Sequence, residues 1–299
     1  MRSGFVSIIG RPNVGKSTLL NSIIGTKVAI TSHTAQTTRN MIQGVYHGDD
    51  LQIIFVDTPG IHKPKNKLGR VLNKQAYYSL SDVDVILFLV DVTESFGKGD
   101  MFILDKLREN DIPVILVLNK IDKITYPEIL PKIEEYKDLY PFKEIVPISS
   151  YKKKNIDELI KVISNYLKDD IVYYDDDTVT NVSTTFSISE LIREKILMYT
   201  REEVPHSVTC IVEDISEDKS SIRIIASIIV DREHLKKILI GHNGSMVKKI
   251  GTNSRKEIEL LLGKKVYLDL QVKVVPNWRD KDSFLNEQLG FKDFNDNSV

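Results

Sequence analysis

An octapeptide near the amino terminus constrains this chain more than any other stretch. Gly10-Arg11-Pro12-Asn13-Val14-Gly15-Lys16-Ser17 fits the pattern G-x-x-x-x-G-K-[ST] at every fixed position. The apolar run at residues 5–9 predicts a buried strand before it, and the apolar spacing over residues 17–24 predicts a helix after it. A glycine turn between strand and helix presents backbone N–H groups and the positive helix end to phosphate oxygens. The stretch therefore predicts a nucleotide phosphate site rather than a chance match.

The residue types at the end of this octapeptide indicate separate roles. Lys16 supplies a full positive charge at the β- and γ-phosphates, and the Ser17 hydroxyl is the first expected protein ligand of Mg²⁺. Thr18, in the first helical turn, is included among the nucleotide-binding residues.

Two further stretches fit the γ-phosphate side of such a site. Residues 31–39 form a polar, aperiodic loop, in which we favour Thr38 over Thr37 as a second Mg²⁺ ligand; a plain solvated loop is the alternative. A predicted strand at residues 51–56 ends in Asp57-Thr58-Pro59-Gly60, where Asp57 can hold Mg²⁺ through water and Gly60 can offer its N–H to the γ-phosphate. Alone this could be a simple turn. The lysine-containing residues 61–69 lack an apolar pattern and are expected to be mobile.

A third motif indicates which base is bound. Asn119-Lys120-Ile121-Asp122 follows the apolar run at residues 114–118. The Asp122 carboxylate can accept from N1–H and the 2-amino group of guanine, whereas adenine has no such donor pair. Asn119 is expected to tie this loop to the phosphate loop, and the stem of Lys120 to cover the base. The weaker motif Ser149-Ser150 is expected to direct backbone N–H groups at guanine O6.

The order of the elements predicts two domains in the 299 residues. Strands and helices alternate from residue 5 to residue 167, which predicts a doubly wound, mostly parallel α/β sheet in residues 1–168. An acidic linker is expected at 169–186, a smaller α+β domain at 187–278, its first helix at 187–199, and a C-terminal tail at 279–299.

Composition excludes several classes of protein. The formal net charge of −1 predicts no nucleic-acid partner from overall charge, and DNA is not expected. Cys210 is the only cysteine, so no internal disulfide can form, and no Cys/His spacing predicts zinc. The first strand leaves no room for a leader, and the apolar runs are too short to cross a bilayer. We expect a cytoplasmic protein and leave peripheral association with the inner membrane face open.

The second half has the element order α-β-β-α-α-β, with a G-x-x-G loop between its second and third helices. In a KH domain such a loop clamps single-stranded nucleic acid. Residues 232–256 carry seven cations against one carboxylate, a local charge of +6 that the near-neutral chain hides. Glycines that merely cap a helix beside a solvated face are the alternative. The candidate RNA-binding residues are Arg232, Lys236, Ile240, Gly241, His242, Asn243, Gly244, Lys248 and Lys249.

Taken together, these motifs and the KH-like second half resemble the Era family of bacterial ribosome-assembly GTPases over nearly the whole chain. The resemblance implies GTP hydrolysis, binding of the 3′ end of 16S rRNA, and a role in maturation of the small (30S) subunit. Three departures from the family pattern stand out. Ser150 replaces the usual Ala, the G-x-x-G interior is His242-Asn243 without a basic residue, and the polar residues 291–299 have no assigned role.

The resemblance also bears on hydrolysis. Ile61 follows Gly60 where many signalling GTPases have a water-orienting Gln, so slow intrinsic turnover is expected, and His62 is expected to be a loop residue. Related GTPases with Asn in the phosphate loop imply that Asn13 helps to hold K⁺; a purely bracing Asn13 is the alternative. Two other functions stay open, a regulatory GTPase with a protein partner on its second domain and an RNA-binding module with vestigial nucleotide binding. Asp122 disfavours an ATPase.

Overall fold

A computed structural model of the protein describes residues 1–32, 34, 37–60, 64, 66–80 and 82–291. The chain separates into two compact units. The first comprises Met1–Pro64 and Leu72–Asn181, and the second comprises Lys65–Val71 and Val182–Val299.

The first unit is built on a six-stranded sheet of order β2-β3-β1-β4-β5-β6. Only the β2–β3 pair is antiparallel, and the other neighbours run parallel. The sequence prediction of a doubly wound, mostly parallel sheet is therefore confirmed. The strands are β1 (Arg2–Ile9), β2 (Ile42–Gly48), β3 (Leu51–Asp57), β4 (Val85–Asp91), β5 (Val114–Asn119) and β6 (Glu144–Pro147).

In the described part of the chain, five helices alternate with these strands. β4 and β5 are buried along their whole length, which is why both read as continuous apolar runs. Since parallel strands place their carboxyl ends at one edge of the sheet, the loops after β1, β3, β4, β5 and β6 gather there. The helices are α1 (Lys16–Ile24), α2 (Lys67–Tyr78), α3 (Lys98–Leu107), α4 (Tyr126–Lys137) and α5 (Ile156–Ser164).

Helix α2 corrects the expectation for residues 67–69, because it begins at Lys67. Residues 61–63 and 65 lie outside the described part of the chain. Its buried residues Leu68, Val71, Leu72 and Ala76 follow helical spacing. This helical spacing of apolar residues is visible in the sequence. It directly follows a lysine-containing segment without an apolar pattern, so the start of the helix was not predicted.

The acidic stretch predicted as a linker pairs with the first unit as far as Asn181. Ser3 N–H donates to the Asp169 carbonyl at 2.8 Å, and Val45 N–H donates to the Val179 carbonyl at 3.0 Å. The Gln52 side chain accepts from Tyr173 N–H at 2.8 Å. Because β2 is an edge strand, the Val45 bond covers a backbone group that would otherwise lack a strand partner.

The second unit is a three-stranded sheet covered by helices. β7 (Val208–Glu217) pairs antiparallel with β8 (Ser221–Val230), and β9 (Lys265–Val274) pairs parallel with β8 at the other edge. The helices are α6 (Thr184–Tyr199), α7 (Val204–Ser207), α8 (Glu233–Ile240) and α9 (Ser245–Leu262). The order α-β-β-α-α-β is as predicted, apart from the short α7, and α6 begins three residues earlier than expected because Ser183 caps it.

Charged side chains lie inside this second unit. Arg193 is 1% exposed and pairs with Glu190 at 2.5 Å, while Lys195 pairs with Glu194 and Glu257. Burial alone would lower the pKa of Lys195, but hydrogen bonds to Glu257 and Glu194 hold that pKa above its ordinary value. The ammonium group therefore stays charged inside the fold.

The last residue of the predicted second domain and part of the predicted C-terminal tail are folded. Trp278 is fully buried and donates from Nε1 to the Ser207 carbonyl at 3.0 Å. Leu285 and Phe291 are also buried, with short helical turns at Trp278–Asp280 and Phe284–Gln288. Residues 292–299 lie outside the described part of the chain.

Among the described residues, no helix combines the length and the apolar character needed to cross a membrane.

Candidate nucleotide site and nucleic-acid interface

The octapeptide after β1 forms a tight turn that only glycine permits at two positions. A Cβ at Gly10 would lie 2.4 Å from the Leu89 carbonyl oxygen, and one at Gly15 would lie 2.4 Å from Nδ2 of Asn119. Gly15 also has φ 105°, a backbone conformation that disfavours other residues. α1 begins directly afterwards at Lys16, with Thr18 half-buried in its first turn.

Four carbonyl groups of this phosphate loop accept hydrogen bonds from side chains. Lys16 Nζ donates to the carbonyls of Gly10 at 3.0 Å and Arg11 at 2.9 Å. Lys120 Nζ donates to the Asn13 carbonyl at 2.7 Å, and Asn119 Nδ2 donates to the Val14 carbonyl at 2.8 Å. In a trans peptide the next N–H points away from the carbonyl. The N–H groups of Arg11, Val14 and Gly15 are thus directed away from these donors, as an anion site requires.

Lys16 is buried, with 7% of its surface exposed. Burial lowers the pKa of Lys16 to about 8, although the nearby Asp57 carboxylate acts in the opposite direction. A phosphate group close to Lys16 would favour the charged ammonium form and raise this pKa again.

The three residues predicted to hold Mg²⁺ meet at one point. Ser17 Oγ donates to Asp57 Oδ2 at 2.6 Å and lies 2.8 Å from Thr38 Oγ1, which is 3.2 Å from the same carboxylate oxygen. Asp57 Oδ1 is buried and has no hydrogen-bond partner within the described residues. Burial raises the pKa of Asp57, while Lys16, Ser17 and Thr38 act against that rise. Two hydroxyls and an orphaned carboxylate oxygen are hard ligands that fit Mg²⁺.

The rest of the Asp57–Gly60 motif lies against the phosphate loop. The Thr58 hydroxyl donates to the Ile8 carbonyl at 3.0 Å, and Pro59 is buried. A Cβ at Gly60 would lie 3.1 Å from the Pro12 ring and backbone nitrogen. Gly60 is therefore next to the turn that binds phosphate. Ile61 and His62 lie outside the described residues, so the prediction of slow turnover stays a prediction.

The base-recognition residues lie at the ends of β5 and β6. Asp122 is exposed, and its Oδ1 accepts from the Ser149 hydroxyl at 2.5 Å. Asn119 Oδ1 accepts from both the N–H of Ser150 at 3.0 Å and its hydroxyl at 2.9 Å. Ser149 thus holds the exposed Asp122 carboxylate, and recognition of guanine by Asp122 stays a prediction.

The structure corrects one part of this prediction. The N–H groups of Ser149 and Ser150 were expected to reach guanine O6, but they donate to the Lys154 carbonyl and to Asn119 Oδ1. The two serines instead orient Asp122 and Asn119. The turn closed by the Ser149–Lys154 pair explains the difference, since it takes up the first N–H.

Three acidic residues that the sequence analysis missed also hold the phosphate loop. Asp91 Oδ2 accepts from Lys120 Nζ at 2.5 Å. Arg11 pairs with Glu94 at 2.9 Å and with the buried Asp100 at 3.2 Å. Burial would raise the pKa of Asp91, but bonds from Lys120 and Thr93 hold it below its ordinary value. Asp91 lies opposite Asn119 in the β4–β5 register. Its position at the carboxyl end of a buried strand is the sequence feature from which its place beside the site could have been predicted.

The G-x-x-G loop of the second unit lies between α8 and α9. Gly241 has φ 72° and Gly244 has φ 75°, and a Cβ at Gly241 would lie 2.8 Å from the Met246 backbone nitrogen. His242 and Asn243 are exposed between them, and Ile240 is half-buried just before. Both glycines are thus required by the backbone, and the loop presents its two central residues to solvent.

The predicted cations do not all gather at this loop. Lys248 is exposed on the first turn of α9, whereas Lys249 places Nζ 4.2 Å from the centre of the Tyr199 ring. Lys236 is half-buried on α8, and Arg232 precedes that helix at its far end. Phosphate contacts next to the loop are therefore best supported for Lys248.

Comparison with known proteins gives matches to both units. A family described as "50S ribosome-binding GTPase" matches residues 5–120, and a KH-domain family matches residues 203–279. The crystal structure of Era in complex with MgGDPNP and nucleotides 1506–1542 of 16S ribosomal RNA is 44% identical in sequence. It superposes with a TM-score of 0.94, over 97% of this chain and 99% of that one. The chain belongs to the Era family.

A second Era structure gives the same agreement. A point variant of Aquifex aeolicus Era bound to GDP·AlF4⁻ is also 44% identical, with a TM-score of 0.94 over 97% of this chain and 99% of that one. Membership of the Era family makes this protein a GTPase with a KH domain, as the sequence predicted.

Proposed function

We propose that this protein binds and hydrolyses GTP and, through its KH domain, binds the 3′ end of 16S rRNA during assembly of the small (30S) ribosomal subunit. The observation that carries this proposal is the 44% identity to an Era that was crystallised with MgGDPNP and nucleotides 1506–1542 of 16S rRNA. That match extends over both units, so it covers the GTPase and the RNA-binding parts together.

The nucleotide site supports the first half of this proposal. When bound at Ser17, Thr38 and Asp57, Mg²⁺ supplies positive charge to the β- and γ-phosphates. Lys16 adds a second charge, and Gly60 lies close to the turn. Since phosphoryl transfer depends mainly on position and charge neutralisation, these groups account for hydrolysis without a strong base. The Arg11 guanidinium is engaged by Glu94 and Asp100, so it is held away from a catalytic role.

The G-x-x-G geometry supports the second half. Glycines at positive φ, without a Cβ, leave room for a sugar-phosphate backbone to approach the loop, and Lys248 lies on the adjoining turn. A KH domain in the matched region favours RNA over the alternative of a protein partner on the second unit. The family description names the 50S particle, whereas the Era complex contains 16S rRNA. We favour the small subunit because that complex matches 97% of this chain, whereas the family description matches residues 5–120.

Such a role places the protein in the cytoplasm, where ribosomal subunits are assembled. Peripheral association with the inner membrane face is a separate proposal, which co-flotation with vesicles of bacterial lipid tests. We also propose that Asn13 helps to hold K⁺ beside the phosphates.

The test is binding of an RNA with the sequence 1506–1542 in the presence of GDP or a non-hydrolysable GTP analogue. Wild-type protein is compared with the double variant His242→Asp/Asn243→Asp, which opposes phosphate with negative charge. We expect salt-sensitive binding that the variant loses while it still binds guanine nucleotides. Co-sedimentation with purified 30S and 50S subunits separates the two ribosomal assignments. Wild-type protein that binds nucleotide but neither the RNA nor the 30S subunit would overturn the proposal.

A further inference from the structure

The turn after β6 carries a run of exposed side chains to which the nucleotide site assigns no role. Tyr151 is 76% exposed, and Lys152, Lys153 and Lys154 are exposed as well. We call residues 151–154 the basic turn. Because it directly follows the Ser149-Ser150 motif, it lies at the carboxyl edge of the six-stranded sheet.

Hydrogen bonds fix the backbone of the basic turn. Ser149 N–H donates to the Lys154 carbonyl at 3.1 Å, and Lys154 N–H donates to the Ser149 carbonyl at 3.0 Å. The N–H of Lys152 donates to Ser149 Oγ at 3.0 Å. Lys153 has φ 54°, in the left-handed region that residues other than glycine seldom adopt. The side chains therefore project from an ordered backbone, so a ligand binds them without first ordering the loop.

The three lysines are not paired with carboxylates. Residues 149–155 contain no acidic residue, and within the described part of the chain none of the three ammonium groups has an ion pair. Lys152 Nζ lies 5.2 Å from the centre of the Tyr151 ring, a cation–π contact that holds the ammonium group without neutralising it. The next carboxylates along the chain are Asp157 and Glu158, on the first turn of α5. An anion at the basic turn would thus meet three unpaired positive charges.

The nucleotide does not account for this charge. Its phosphates are expected at Lys16, whereas the basic turn is attached through the Ser149 hydroxyl to Asp122, which is expected to meet the base. Guanine is uncharged, so its recognition does not require three lysines at that end of the site. The positive charge of the basic turn is therefore available to a different anion.

The residue types favour a sugar-phosphate backbone as that anion. A lysine ammonium group is a point charge on a flexible stem, which suits phosphates, whereas base edges are read mainly by bidentate arginine and amide side chains. Clustered cations beside an exposed aromatic ring are typical of proteins that bind nucleic acid.

We infer that the basic turn is an rRNA contact on the first unit, which binds phosphates of 16S rRNA outside nucleotides 1506–1542. This inference rests on the proposed function, since it assumes that the protein binds the small subunit. Contacts of this kind add affinity and orient the first unit on the rRNA without reading its sequence.

The experiment measures full-length protein, saturated with a non-hydrolysable GTP analogue, against two protein-free RNAs. One is the RNA of sequence 1506–1542, and the other is 16S rRNA that ends before nucleotide 1506. For the truncated rRNA, every protein also carries His242→Asp/Asn243→Asp, so that the KH loop contributes little to binding.

Three variants are compared with the parent protein. The test variant is Lys152→Ala/Lys153→Ala/Lys154→Ala. The matched control is Lys143→Ala/Lys161→Ala/Lys168→Ala, which removes three exposed lysines elsewhere in the first unit. Lys152→Arg/Lys153→Arg/Lys154→Arg keeps the charge of the basic turn and should bind both RNAs like the parent protein.

We expect the test variant to bind the truncated rRNA at least tenfold more weakly than the control does, and the RNA of sequence 1506–1542 with unchanged affinity. For the truncated rRNA, the slope of log K against log salt should fall in magnitude by about 2 to 3, because each lost phosphate contact removes about 0.7 to 0.9.

Equal affinity of the test and control variants for the truncated rRNA would overturn the inference. So would a defect seen with 30S subunits but not with protein-free rRNA, which would assign the basic turn to a ribosomal protein, or a defect confined to anionic vesicles, which would assign it to a membrane. Failure of the proposed function is distinguishable, because then wild-type protein binds neither the RNA of sequence 1506–1542 nor the 30S subunit.

Discussion

The Ser150 hydroxyl offers a direct test of how the base loop supports the phosphate loop. Ser150 is 3% exposed, and its hydroxyl donates to Asn119 Oδ1 at 2.9 Å. The same amide donates from Nδ2 to the Val14 carbonyl, so it links the loop after β6 to the phosphate loop. Ser150→Ala, which restores the residue usual in the family, removes one of these bonds and introduces no bulk.

The expected loss of stability depends on which hydrogen bonds Asn119 keeps in the variant. Asn119 Oδ1 keeps the bond from Ser150 N–H, so no buried acceptor loses its last partner. The loss should therefore be that of one neutral hydrogen bond, about 1 kcal/mol in the free energy of unfolding. If between half and all of this free energy is lost from nucleotide binding, the affinity for GDP and the affinity for GTP both fall about two- to fivefold.

Urea unfolding and titration with a fluorescent guanine nucleotide measure the two quantities. Ser164→Ala is the control, because it removes a comparable hydroxyl bond, to the Lys161 carbonyl at 2.8 Å, at the end of α5. The control should lose stability and keep its nucleotide affinity. If Ser150→Ala also kept full affinity, the hydroxyl would act on stability alone, and our account of the link would be refuted.

Three further results are expected. The pKa of Lys16 is lowered to about 8 and the triphosphate favours the ammonium form, so GTP affinity should be constant below pH 8 and fall above it, approaching tenfold per pH unit. Lys16→Arg should abolish this pH dependence. A constant wild-type affinity up to pH 9.5 would contradict the prediction. Asp122→Asn should weaken the binding of GTP far more than that of xanthosine triphosphate, whose O2 can accept a hydrogen bond from the new amide. An equal loss of affinity for both nucleotides would show that Asp122 does not recognise the 2-amino group. Hydrolysis should be faster in KCl than in NaCl, with the difference lost in Asn13→Ala; equal rates would remove K⁺ from the site.

Those parts of the site that depend on short fixed spacings could be predicted from sequence. Lys16, Ser17, Asp57 and Asn119 each stand at the end of an apolar strand or the start of a helix, and parallel strands bring such positions to one edge. Thr38 could be preferred over Thr37, and the structure brings its hydroxyl to Ser17 and Asp57 while Thr37 bonds to the Thr34 carbonyl.

Contacts between distant residues without a periodic signal could not be predicted. Lys195 and Glu257 are 62 positions apart, and nothing in either helix marks them as partners. The acidic segment before α6 attaches to β2 and β3 through backbone groups and glutamine side chains, which leave no apolar pattern. Its composition is that of a free linker, yet its hydrogen bonds place it along a sheet edge.

The anchoring of the phosphate loop limits where discrimination between GTP and GDP can arise. The carbonyls of Gly10, Arg11, Asn13 and Val14 are fixed by Lys16, Lys120 and Asn119, and two of these donors belong to the base motif. The bonds from Lys120 and Asn119 involve no γ-phosphate, so they anchor the loop for both nucleotides. Lys16 is also expected to meet the β- and γ-phosphates, so discrimination is expected from Lys16, Thr38 and Gly60. Any effect of RNA on the preference for GTP has to reach one of these three residues, and by linkage GTP must change RNA affinity by the same factor.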